Sequence, residues 1–143
     1  MDPITVSIDI DAPIERVWDR LADLEGHKHW MGDVGSLSFD NDKRQGLGTV
    51  MTVATQVGPL RLVDRMLVTV WDPPRRMTVE HQGAVKGAGQ FILSPVGGAT
   101  RLIWIEELHF PWRLGGPITA LGSRPVLATI WLRNLRRFKR LVE

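Results

Sequence analysis

Ile4-Thr5-Val6-Ser7-Ile8-Asp9-Ile10-Asp11-Ala12-Pro13-Ile14-Glu15-Arg16-Val17-Trp18 changes its hydrophobic period part-way along. Up to Ile10 the apolar residues alternate. Ile4, Val6, Ile8 and Ile10 share one face and Thr5, Ser7 and Asp9 the other, the pattern of a strand with one face buried. Asp11 is then a candidate helix N-cap, and Pro13 falls in the first turn, where its missing N–H costs little. Val17, Leu21 and Leu24, with Trp18 alongside, form the apolar stripe of that helix, and Gly26 ends it. The chain therefore opens with a half-buried strand running directly into a short helix.

Beyond this stretch, His27 to Met31 reads as a second helical turn stopped by Gly32. Strands are expected at residues 35–40, 49–57, 60–71 and 77–82, separated by a polar turn region, by Gly58-Pro59 and by Asp72-Pro73-Pro74-Arg75-Arg76. Paired prolines cannot continue a ladder. Gly83, Gly87 and Gly89 read as a glycine-rich connection, and 90–93 and 101–110 as a hairpin around Pro95 to Gly98. From Pro117 the spacing turns helical, with Ile118, Leu121, Ala128, Trp131, Leu132, Leu135, Phe138 and Val142 three and four apart. Pro125 is expected to kink or break that helix near residue 124. Successive hairpins imply one antiparallel sheet, and the long helix must cover its apolar face.

Composition narrows the function classes. The 143 residues contain no cysteine, which removes disulfides, thiolate metal sites and cysteine nucleophiles. A chain of this length is one domain by size and can bury roughly two thirds of its unfolded surface. Met1-Asp2-Pro3 is acidic, with no long apolar run after it, so neither a signal peptide nor a membrane span is expected and the chain reads as cytoplasmic. Net charge is +2, but residues 1–42 carry ten acids against three bases and residues 43–143 fifteen bases against six acids. The two ends meeting and neutralising each other is the plainer reading; a basic surface for an anionic partner is the sharper one.

The order strand, two short helices, about six strands and a long helix is similar to the START/Bet v 1-like, or helix-grip, superfamily. The phrases that carry the resemblance are Val6 to Trp18, Leu21 to Trp30, Val70-Trp-Asp-Pro-Pro-Arg-Arg-Met77, Phe91-Ile-Leu-Ser-Pro95 and Thr100-Arg-Leu-Ile-Trp-Ile-Glu-Glu-Leu108. Within that superfamily the chain most resembles bacterial polyketide cyclase/dehydrase-type proteins, over residues 1–143 as a single domain. The resemblance implies an α+β helix-grip fold. A curved antiparallel sheet of six to seven strands would carry two short helices after its first strand and a long C-terminal helix packed over it. It also implies an internal cavity for a hydrophobic ligand. Tyrosine commonly supplies polar handles in such cavities, and this chain has none.

Alternation places the candidate site. Phe91 and Leu93 turn inward, as do Leu102, Trp104, Glu106 and Leu108, while Met77, Val79 and His81 share a face. Glu106 and His81 are thus polar groups in apolar rows, and they are the candidate acid/base or ligand-orienting residues. A carboxyl in an apolar pocket has its pKa raised, which suits proton transfer. With the turn near Val96 to Gly98, Glu106 falls opposite Gly89, and His81 is expected level with Phe91 and Trp104. One strand lies between theirs, so the two side chains are expected to start roughly 10 Å apart. The competing readings are that Glu106 pairs with a nearby arginine such as Arg101 or sits in water at the cavity mouth, and that His81 is merely half-buried. The opposite face of 101–110 would instead turn Glu107 and His109 inward. Candidate ligand-binding residues are Trp30, Met51, Val53, Met66, Phe91, Leu93, Trp104, Leu108, Leu121 and Trp131, and Arg61 or Arg65 could contact an anion at the rim.

Other chemistry is not expected. His27, His29 and Asp33 are poorly spaced for a metal, the glycines 83, 87 and 89 form no nucleotide loop, and no nucleophile motif occurs. No cofactor and no nucleic-acid partner are expected. The basic run Arg133, Arg136, Arg137, Lys139, Arg140 reads first as a solvated helix face and only second as a contact for anionic lipid. Three functions remain open. The first is a carrier or binder of a small hydrophobic or aromatic molecule. The second is a cyclase- or dehydratase-like enzyme using Glu106 or His81. The third is a surface-acting or dimeric protein with a filled cavity. Either a monomer or a homodimer is compatible with the sequence.

Overall fold

The computed structural model describes residues 3–143, excluding the side chains of residues 117, 118, 120 and 121. Strand β1 (Ile4–Ile10) leads into helix α1 (Ile14–Ala22) and a 3-10 turn (Glu25–His29). Six strands follow: β2 (Val34–Phe39), β3 (Val50–Val57), β4 (Leu60–Asp72), β5 (Arg76–Gln82), β6 (Lys86–Val96) and β7 (Ala99–His109). A short 3-10 turn (Trp112–Leu114) then precedes helix α2 (Gly116–Val142). The seven strands form one antiparallel sheet in the order β1-β7-β6-β5-β4-β3-β2. Neighbours in sequence are neighbours in the sheet, except that β1 closes against β7. The α+β helix-grip architecture expected from the sequence is the observed one.

The inner face of the sheet follows the alternation. Ile4 and Ile10 are buried at the two ends of β1, while Thr5, Ser7 and Asp9 are exposed. On β7 the buried residues are Thr100, Leu102, Trp104 and Glu106, so the face carrying Glu106 is the inner one, and Glu107 and His109 point to solvent. Helix α2 buries Trp131, Leu135, Phe138 and Val142. Each large side chain so buried contributes about 1.5–3 kcal/mol. Asn134 interrupts this stripe as a buried amide whose nitrogen and oxygen are both hydrogen-bonded. It donates to Asp33 Oδ1 at 2.8 Å and accepts from the Gly32 N–H at 3.0 Å, tying α2 to the loop before β2. The arginines 133, 136, 137 and 140 occupy the solvated side of α2. The acidic and basic ends of the sequence do meet. Arg101 forms an ion pair with Asp9 at 2.8 Å, and Lys139 Nζ donates to the Asp9 carbonyl at 2.7 Å. Among the described residues no helix is long and apolar enough to cross a membrane.

Three local expectations need correction. Asp11 does not cap α1: the helix begins after Pro13 without a side-chain cap, and the Asp11 N–H instead donates to Glu143 Oε2 at 2.7 Å. Gly87 and Gly89 are not in a connection but inside β6, which starts at Lys86 after a three-residue turn. Glycine is a weak strand former, but here the backbone is held by pairing on both sides. Nor does α2 break at residue 124; it continues through Pro125, and Thr129 Oγ1 donates to the Pro125 carbonyl at 2.8 Å. An interior proline costs a helix about 3 kcal/mol, which packing of the apolar stripe offsets.

Candidate functional site

Between the inner face of the sheet and α2 lies a cavity of about 230 Å³. Its walls are mostly apolar. Met51, Val53, Met66, Phe91, Trp104, Leu108 and Trp131 line it, as the alternation and helical spacing predict. Leu121 is on the same helix, but its side chain is outside those described. Trp30 and Leu93 do not line the cavity. Trp30 is 2% exposed and sits beneath the wall, with its ring centroid 4.9 Å from Phe138 and 6.1 Å from both Phe91 and Trp104. Leu93 pairs with Leu102, two residues further along the sheet than the Phe91–Trp104 pair, and there it joins the plain core. Arg61 and Arg65 are exposed on β4 and are not among the residues that line the cavity. Exposed apolar residues Leu60, Val63 and Val126 lie on the cavity's lining where it meets the surface.

The charged side chains Asp64, His81 and Glu106 form one hydrogen-bonded cluster on the wall. His81 Nδ1 lies 2.7 Å from Asp64 Oδ2, and its Nε2 lies 2.9 Å from Glu106 Oε2. The outer oxygens are also held. Trp104 Nε1 donates to Glu106 Oε1 at 3.0 Å, and the Gly83 N–H donates to Asp64 Oδ1 at 2.7 Å. The strands of His81 and Glu106 are separated by β6, as expected, but the two side chains reach across it into direct contact. Glycine explains it. Glu106 lies opposite Gly89 and His81 opposite Gly87 on the strand between them, so that strand puts no side chain in the way. A Cβ on Gly89 would run into the Glu106 carboxylate, and one on Gly87, whose φ is 133°, would strike the Glu107 carbonyl. The level expected for His81 is also corrected. Met77, not His81, is opposite Phe91, because the turn between β5 and β6 is only three residues long.

Burial opposes charge on His81, but its hydrogen bonds to Asp64 and Glu106, reinforced by their negative charge, outweigh that and raise its pKa to about 10. At neutral pH it is an imidazolium donating one N–H to each carboxylate. Asp64 is the residue that sequence reasoning missed. Its signal is the same as that of Glu106: a carboxylate in the inward row Leu60, Leu62, Asp64, Met66, Val68. Arg101 does not pair with Glu106, since it is engaged with Asp9 on the outer side of β1 and β7.

His27 also lines the cavity, with different chemistry. Its Nε2–H donates to the Leu21 carbonyl at 2.7 Å, satisfying one of the free carbonyls at the end of α1. Its ring lies 5.0 Å from Trp30 and 6.0 Å from Phe91. Desolvation pulls its pKa down to about 4, only partly opposed by the Leu21 hydrogen bond. Among the described residues no His, Asp and Glu grouping has metal-binding geometry. Asp33 is committed to Asn134.

A family model described as polyketide cyclase / dehydrase and lipid transport matches residues 1–143. Among solved structures, a conserved protein from Geobacillus kaustophilus matches with a TM-score of 0.76 at 18% identity, over 99% of this chain and 95% of that one. A protein from Thermus thermophilus matches with a TM-score of 0.73 at 21% identity, over 98% of this chain and 96% of that one. The Aha1 dimer from Colwellia psychrerythraea matches with a TM-score of 0.70 at 19% identity, over 100% of this chain and 97% of that one. At these identities the likeness is one of fold. A search of curated proteins returned no significant match.

Proposed function

The chain belongs to the polyketide cyclase/dehydrase and lipid transport family, and from that premise we propose that it binds or carries a small hydrophobic or aromatic molecule between its sheet and α2. The observation that carries this reading is the mostly apolar cavity of about 230 Å³ with the Asp64–His81–Glu106 cluster on its wall. A dry cavity of about 150 Å³ is enough for benzene, so one substituted ring fits. Family membership supports hydrophobic-ligand binding at a general level. Residues Thr119, Ser123 and Leu127 put the first half of α2 on the cavity wall, so that half is the natural gate.

A second reading, cyclase- or dehydratase-like catalysis, is favoured by one observation: ionisable groups lie on the wall of the cavity. Against it, His81 has both ring nitrogens engaged with carboxylates and a pKa raised to about 10. Such a group is a poor base at neutral pH, where a general base works best with a pKa near the ambient value.

Native mass spectrometry of the protein purified from its host tests the first reading, together with NMR of the Phe91, Trp104 and Trp131 ring resonances during titration with ethylbenzene. A retained small molecule, or saturable shifts confined to those rings, is the expected result. An empty protein whose rings do not respond at saturating ethylbenzene would sink it. Turnover of a candidate substrate that is lost in Glu106→Gln while its binding persists would favour the enzyme instead.

A further inference from the structure

We propose that the cavity selects hydrophobic molecules that carry a hydroxyl group, because the Asp64–His81–Glu106 cluster offers its occupant acceptors and no donors. This rests on the ligand-binding reading above and names the chemical class that the site takes.

The donors can be accounted for one by one. The Gly83 N–H is spent on Asp64 Oδ1, and the Trp104 indole N–H on Glu106 Oε1. The two ring nitrogens of His81 are spent on Asp64 Oδ2 and Glu106 Oε2. Wherever the shared protons sit along those two short contacts, they lie between the ring and a carboxylate. Every carboxylate oxygen already takes one hydrogen bond, and each has capacity for a second. What remains of this cluster for a ligand is therefore lone pairs on two carboxylates, on the wall of a mostly apolar chamber. Thr55, Thr119 and Ser123 also line the cavity, and the Thr119 hydroxyl donates to the Leu114 carbonyl.

That arrangement discriminates. A hydroxyl can donate to Asp64 or Glu106 and leaves its ring or chain against Met66, Phe91 and Trp131. An ether or a ketone of the same shape brings a second acceptor against the carboxylates. An anion brings like charge as well, without any free cation in the cluster to receive it. Burying an unpaired polar group is what makes such discrimination large, whereas a purely apolar pocket discriminates weakly. A hydrogen bond to a charged acceptor corresponds to roughly a ten- to hundred-fold difference in affinity.

The test is calorimetric titration of the full chain at neutral pH with four probes of similar size: 4-ethylphenol, 4-ethylanisole, 4-ethylbenzoate and ethylbenzene. The expected order is 4-ethylphenol at least about ten-fold tighter than 4-ethylanisole and ethylbenzene, with 4-ethylbenzoate weakest. In Glu106→Gln and Asp64→Asn, each of which introduces an amide donor, the phenol's advantage over the anisole shrinks. The ranking in the unsubstituted chain needs neither variant to fold. Equal binding of phenol, anisole and ethylbenzene overturns the hydroxyl rule and leaves the cavity reading intact. Tight binding of the benzoate overturns the rule too. No binding by any of the four overturns both.

Discussion

The two histidines on the cavity wall are nearly equally hidden and are opposite in chemistry. His27 is buried against Trp30 and Phe91 and has a backbone carbonyl for a partner, so burial decides and its pKa falls to about 4. His81 is opposed by burial too, but two carboxylates reach it and its pKa rises to about 10. The lesson is that depth does not assign charge; partners do. The first is a neutral wedge that closes the end of α1. The second is the cation that lets Asp64 and Glu106 share one small apolar chamber.

The largest effect is expected from removing that cation. His81→Leu leaves two buried carboxylates facing one another, and breaking a buried ion pair from one side costs about 3–5 kcal/mol. His27→Leu leaves only the Leu21 carbonyl unpartnered, at about 1–3 kcal/mol. Urea unfolding at pH 7 measures both, and a His27 variant as damaging as the His81 variant would erase the distinction.

Next comes pH, where the two sites act in opposite windows. The pKa of His81 is raised on folding, so its contribution is complete below its ordinary value of 6.5 and is lost as pH climbs toward about 10. The pKa of His27 is lowered, so its contribution is complete above 6.5 and is lost as pH falls toward about 4. Each window has a limiting slope of about 1.4 kcal/mol per pH unit. In NMR titrations the His27 ring should stay neutral well below pH 6, and the His81 ring should stay charged well above pH 8 (roughly one to two units from the ordinary value in each case). A His81 ring that titrates between pH 6 and 7 would contradict the geometry of the cluster, and His81→Gln should flatten the alkaline slope alone.

The His27–His81 contrast is only half legible in the sequence. Alternation finds the inner faces of β1, β5 and β7, and so it finds Glu106 and His81 as polar groups in apolar rows. It places Glu106 opposite Gly89 because the β6–β7 hairpin has a short glycine turn that fixes its register. It misplaces His81 because Gly87 and Gly89 look like a connection, glycine being a poor strand former, when they belong to β6. With those residues outside the strand, nothing indicates a window in the sheet between His81 and Glu106. Asp64 escapes notice although its row, Leu60 to Val68, carries the same signal; the neighbouring Arg61 and Arg65 draw attention to the wrong face. Trp30 and Leu93 fall in with the cavity residues because inward-facing and cavity-facing look alike in a sequence. Which inward side chain meets empty space depends on where α2 crosses the sheet, and no local pattern encodes that.

The smallest effect expected is the one that tests the window itself. At Gly89 an added Cβ meets the Glu106 carboxylate, and at Gly98 in the β6–β7 turn it meets nothing within 4 Å. Gly89→Ala should therefore cost about 1–3 kcal/mol, the range for overpacking, while Gly98→Ala should stay within about 0.5 kcal/mol, as for an ordinary surface change. Stability alone would not separate a packing defect from a broken cluster, so the His81 ring provides the second readout. If the missing side chain at position 89 is what allows Glu106 to reach His81, then alanine there should push the carboxylate aside and lower the His81 pKa toward that of a histidine with Asp64 as its only charged partner. Gly98→Ala should leave that titration untouched. A Gly89 variant that loses stability with its His81 titration unchanged would mean that Glu106 reaches His81 by another path, and the window would be incidental to the pairing.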